Sequence, residues 1–194
     1  MQRCKELEHY IEEYRASRLN RKRAEITGTY DALHPSLTDA LDTLIREQYR
    51  MQREGSQEKV KYILFHPLLT SVYTGSLETA AGMGNFMLYL DKHMSYTYWK
   101  PESIYQDMDK DMEEVRRLLG QKFIRIEEYE LLFLKRRLYL DDWTLFCEAL
   151  KPAMGSIEEK IKDSALLVEE EVQVLCGGYM EKLDIVGSIS GGKQ

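Results

Sequence analysis

Through most of this 194-residue chain, apolar residues recur every three or four positions. That rhythm limits the fold more than any motif does, because a stripe of period 3.6 is buried only when wound as a helix. Cys4, Leu7, Ile11 and Tyr14 make one stripe, and Leu37, Ala40, Leu41, Leu44 and Ile45 make another that stops near Gly55. Pro35 suits the first turn of that second helix, and Ser36 with Asp39 resembles a cap. Further stripes run from Pro101 to Gly120, over EEYELLFLKRRLYL, and through a short WTLFCEAL segment that Pro152 to Gly155 brings to an end. Ser156 with Glu159 reads as a capping box opening a long amphipathic helix with Ile157, Ile161, Val168, Val172 and Leu175 on its stripe. The rhythm predicts an all-α fold, an irregular single-domain bundle of about six or seven helices.

Between Lys61 and Pro101 the rhythm breaks, and charge gives way to aromatic residues, two histidines and several small residues. KVKYILF fits either a helix kinked by Pro67 or a short strand rich in β-formers, and the kinked helix is the reading adopted here. Ser76 caps a following helix in which Ala80, Ala81, Gly82 and Gly84 give another helix room to approach. The segment from 94 to 101 is extended or a hairpin, since Lys100 precedes a proline. A chain this long buries most of its apolar surface as one unit, here residues 1–186, followed by a Gly- and Ser-rich flexible tail over 187–194.

A net charge of −6 disfavours a polyanionic partner. The exception is the basic cluster Arg15, Arg18, Arg21, Lys22 and Arg23, whose two readings are a solvated helix end and a nucleic-acid patch. Three cysteines, odd in number and without a C-x-x-C pair, point to reduced thiols in a cytoplasmic protein. The charged opening lacks the apolar core of a secretory signal, and no apolar run is long enough to cross a bilayer.

Catalytic and metal motifs fail on inspection. Glu6 with His9 and Asp31 with His34 give Glu/Asp-x-x-His spacing, but a di-metal bundle needs two such pairs plus two further inward carboxylates. Asp107, Asp109 and Asp111 begin like a calcium loop, yet Met112 stands where glycine is needed and Leu118 where glutamate is needed. Gly82-Met83-Gly84 lacks the residues that complete a phosphate loop. No metal and no cofactor is expected.

The central aromatics are the best candidate site. His66, Tyr73, His93, Tyr96, Tyr98 and Trp99 combine large contact area, few rotors and polar tips, the chemistry of recognition surfaces. The function expected is that of a cytoplasmic protein-interaction or adaptor module, of the kind that includes small bacterial accessory and immunity proteins. It would bind another protein or self-associate through amphipathic helices. The alternatives are an enzyme or small-ligand protein with a pocket lined by the 62–99 aromatics and His66 and His93, and a nucleic-acid-associated protein using Arg15 to Arg23.

Overall fold

The computed structural model describes residues 2–27, 30–56 and 58–191. The fold is mixed α/β, which corrects the all-α helical bundle expected from the periodicity. Three helices open the chain, α1 (Gln2–Tyr10), α2 (Glu12–Thr27) and α3 (Tyr30–Arg53). Then come β1 (Val60–Pro67), α4 (Ser71–Thr74), β2 (Thr79–Gly84), β3 (Ser95–Trp99), α5 (Glu102–Tyr105) and α6 (Met108–Gly120). A 35-residue helix, α7 (Glu128–Lys162), leads to β4 (Val168–Gly177) and β5 (Leu183–Ser190).

The strands form one sheet in the order β3-β2-β1-β4-β5. Only the central β1–β4 pair is parallel. The connection between those two strands passes through β2, β3 and all of α5 to α7, the long crossover that parallel pairing demands. Alternation then gives the sheet two unlike faces. Ile63, Phe65, Ala81, Met83, Val172, Val174 and Cys176 share a core with α3 and α7, and Phe65 meets Phe146 of α7 edge-on at 5.8 Å. The other face carries His66, Leu64, Ala80, Gly82, Tyr96 and Leu175. Its cover is the loop between β2 and β3, not a helix. A Cβ on Gly82 would come within 2.8 Å of both Met94 and Tyr96, so the small residues read as a helix contact instead let this loop lie flat on the strand.

Each misread element has a physical cause. In β4, Val168, Val172 and Cys176 recur every four residues, a spacing shared by a helical stripe and an alternating strand. The β-branched run with Val174 belongs to the strand. β5 takes in residues 187–190 of the expected tail; residues 192–194 lie outside those described. Pro35 sits inside α3. Pro152 sits inside α7, where it removes one helical hydrogen bond. The helix nonetheless continues, because Ile157 and Ile161 are buried against the core and Lys160 pairs with Asp42 of α3 at 2.8 Å. The true start signal of α7 is at Glu127, whose backbone N–H donates to the Glu130 carboxylate at 2.8 Å.

Cys147 of α7 and Cys176 of β4 form a disulfide, correcting the expectation of separate thiols; Cys4 is a buried free thiol. The bond ties the longest helix to the central part of the sheet across 29 residues of sequence. Loop-closure entropy for that span is about 3–4 kcal/mol. Reduction with dithiothreitol should therefore lower the urea midpoint by an amount equivalent to about 3 kcal/mol, measured on the same sample with and without reductant; an unchanged midpoint would contradict the link.

Candidate functional site

The sequence-selected residues divide among four places. Trp99 belongs to the helix-covered face, with its ring 6.1 Å from those of Phe65 and Phe146. Tyr73 is exposed on α4, in a cleft with Met112, Tyr129 and Lys135. His93 is exposed in the β2–β3 loop, its backbone N–H donating to Asp91 at 2.9 Å. His66, Tyr96 and Tyr98 come together on the open face of the sheet.

His66 is the buried centre of that face, at 3% exposure. Its Nδ1 donates to the Gly177 carbonyl at 2.8 Å, which leaves Nε2 as the unprotonated acceptor, and Nε2 has no hydrogen-bond partner. Burial holds the imidazole below its ordinary pKa, although the bond to Gly177 pulls the other way. Two tyrosines close over it. Tyr89 lies 5.7 Å from the histidine ring and Tyr179 lies 6.0 Å from it, with the two phenols 5.0 Å apart. Tyr96 and Tyr98 stack beside them at 6.4 Å. Burial raises Tyr96 to about 12, assisted by Tyr179, Tyr89, Tyr98 and Asp91, so its hydroxyl stays protonated at neutral pH. Asp91 and Glu181, on the same two loops, add negative charge near Tyr96 and Tyr89.

Two loops shape this surface. In the first, Asn85 accepts the Met87 N–H at 2.8 Å, and Asp91 accepts those of Asn85 and His93 at 3.2 and 2.9 Å. Short polar side chains thus build the loop around Leu88, which is left-handed at φ 52°. The second is the β4–β5 turn, where Met180 is also left-handed at φ 57°. Both are conformations that a bulky side chain adopts only when its surroundings impose them. The same two loops carry Phe86, Met87, Leu90 and Met180, all exposed, with Leu90 at 71% and Phe86 at 68%, and Ile185 is exposed on β5. Tyr179 and Met180 were missed in the sequence because only the β4–β5 hairpin brings them to His66. The Cys-Gly-Gly-Tyr-Met run was a turn signal that the helical reading absorbed as a stop.

The basic cluster faces inward. Arg18 and Lys22 are buried on Asp111 and Asp142, and Arg15 is held by Asp141 and Glu8, each at 2.8 Å. Arg23 pairs with Glu148 at 2.8 Å and the exposed Arg21 lies 3.6 Å from Asp111. Arg15, Arg18 and Lys22 are thus held within the fold, while Arg21 and Arg23 keep surface exposure. Among the described residues no group of three or more side chains could hold a metal; the side chains of Asp31 and His34 lie outside those described. No helix among the described residues is long and apolar enough to cross a membrane. Comparison with protein-family models, with curated proteins and with solved structures gives no significant match.

The depressed His66 titration fixes a sign. The unfolded chain, with an ordinary imidazole near 6.5, takes up the proton first, so stability is fully present above that pH and falls as the pH drops below it. His66→Gln removes the proton uptake. The fall in urea midpoint between about pH 7.5 and about pH 5 should then be smaller in the variant than in the wild type; equal falls would mean that His66 is not buried as a neutral ring.

Proposed function

We propose that the chain is a protein-recognition module whose binding face is the open side of the sheet, and that this face takes a short segment carrying a lysine or arginine among apolar residues. The observation that carries the reading is the set of exposed Phe86 and Leu90 in the β2–β3 loop and Met180 in the β4–β5 turn, two loops that the 5.0 Å contact of Tyr89 with Tyr179 brings together and that also carry Asp91 and Glu181. Large apolar side chains gathered on a loop-built surface mark interaction sites. Ring faces, hydroxyls and carboxylates together suit a cation, by cation–π attraction and charge-assisted hydrogen bonds. The two imposed left-handed residues support the same reading, since such strain concentrates where loops serve binding. A second reading, a small-ligand site beneath Tyr89 and Tyr179, is favoured by the unpartnered Nε2 of His66.

The cytoplasm is the proposed compartment, where Cys147 and Cys176 would stand as thiols, whereas their disulfide suits an oxidising one. Alkylation of the protein at the moment of harvest decides the matter: two modified thiols at these positions support the cytoplasm, and two protected ones refute it.

The recognition proposal is tested by selecting binders from a random displayed dodecapeptide library. The selected peptides should share a Lys or Arg flanked by apolar residues. Their affinity should drop at least tenfold in a Phe86→Asp/Leu90→Asp variant whose circular dichroism is unchanged. Failure to enrich any peptide, enrichment of acidic motifs, or binding that survives the double substitution would each overturn the proposal.

A further inference from the structure

We propose that a second copy of the chain docks along β5, joining two sheets into one ten-stranded sheet. The sheet has two edges, β3 and β5. β3 is a five-residue strand flanked by α3, to which it is tied by the buried bond from Ser95 Oγ to Gln48 at 2.6 Å. β5 is eight residues long, and only Ile189 along it is buried. An exposed strand edge is a template for another strand, and folded chains ordinarily block one with lysine, proline or a covering element. LDIVGSIS contains no lysine, arginine or proline, and its one charge is Asp184.

The backbone direction can be read from the ladder. Gly191 N–H donates to the Glu170 carbonyl at 2.9 Å, so residue 191 bonds inward to β4. Across the regular pairing from Val174–Gly187 to Glu171–Ser190, alternation turns Gly187 and Ile189 inward as well, and points the N–H and C=O of Ser188 and Ser190 away from the sheet. The register irregularity opposite Val174 and Leu175 lies outside this straight half.

An antiparallel copy related by a two-fold axis at Ile189 places Ser188 opposite Ser190 of the second copy, and Ser190 opposite its Ser188. The outward groups then close about four N–H···O bonds. The strand is self-complementary in the way such an interface requires. The facing hydroxymethyl side chains are small, and Asp184 stands five residues from the axis, about 34 Å along the strand from its own copy. Pairing on this edge leaves the His66–Tyr179 face open and sets two such faces side by side, so the assembly does not depend on the recognition proposal.

The test is the molar mass of the full chain by light scattering across a micromolar to millimolar range, for the wild type and for Ser188→Pro. Proline is tolerated on an edge strand where the replaced N–H faces outward, so the variant keeps the β4–β5 ladder while losing the outward donor. Twice the chain mass for the wild type and the single-chain mass for a folded Ser188→Pro are expected. A wild type that stays at the single-chain mass, a proline variant that still doubles, or growth to larger open-ended species would overturn the proposal. Should the proline variant not fold, amide exchange of the wild type decides: Ser188 and Ser190 must be protected at high concentration and exchange faster on dilution, and concentration-independent rates would overturn it.

Discussion

The rest of the structure depends on four charged side chains that are buried together. Arg18 spans two carboxylates, with Nε on Asp111 at 2.6 Å and a terminal nitrogen on Asp142 at 2.7 Å. Lys22 reaches the same Asp142 oxygen at 3.0 Å and the Ile104 carbonyl at 2.9 Å, while Tyr14 donates to the remaining Asp111 oxygen at 3.0 Å. Three helices and the short α5 meet there. Burial pushes the Asp142 carboxyl up despite the two cations beside it, a measure of how costly the location is for a charge. One Arg18 nitrogen and one Asp142 oxygen have no hydrogen-bond partner, so the network is incompletely satisfied. Such a network contributes orientation more surely than net stability, since apolar side chains of the same shape can equal a buried pair, whereas one charge left alone cannot be tolerated. Through Arg18 it ties α2 to both α6 and α7.

Fixing α2 in that way decides where recognition can occur. The densest basic segment of the chain is consumed in holding the helical layer together, and the helices in turn cover one side of the sheet. The other side is left to two loops, each braced by short polar side chains or by a hairpin. There the protein concentrates large exposed apolar groups and a cluster of phenols, over a histidine held neutral. The same division explains why Trp99 and Tyr98, adjacent in sequence, have different environments. Strand alternation sends Trp99 among Phe65 and Phe146 and Tyr98 to the open face.

This alternation was the part of the fold least legible in the sequence. The helices α1, α3 and α6 and the first part of α7 could be read from their stripes because an amphipathic helix repeats its signal at every turn. Strands β1 and β2 could not, because they are buried on both faces, where small or uniformly apolar residues replace the polar half of an alternating pattern. Ala80, Ala81, Gly82 and Gly84 carry no pattern at all, and the meaning of the two glycines lies in Met94, which rests on both, and in Tyr96, which rests on Gly82. Of the site, His66, Tyr96 and Tyr98 were selected on chemistry alone. Tyr179 and Met180 required the β4–β5 pairing, a contact more than a hundred residues from His66 in sequence. The role of Arg18 and Lys22 was hidden for the same reason, because their partners Asp111 and Asp142 are far along the chain.

The central claim, that the inward basic segment is what seats the helical layer, is tested most directly by urea unfolding of Arg18→Ala. Removing the guanidinium leaves Asp142 buried with Lys22 as its one cation and takes from Asp111 its closest charged partner, and the expected loss is about 3–5 kcal/mol. A loss of less than about 1 kcal/mol, the range of solvent-exposed ion pairs, would contradict it.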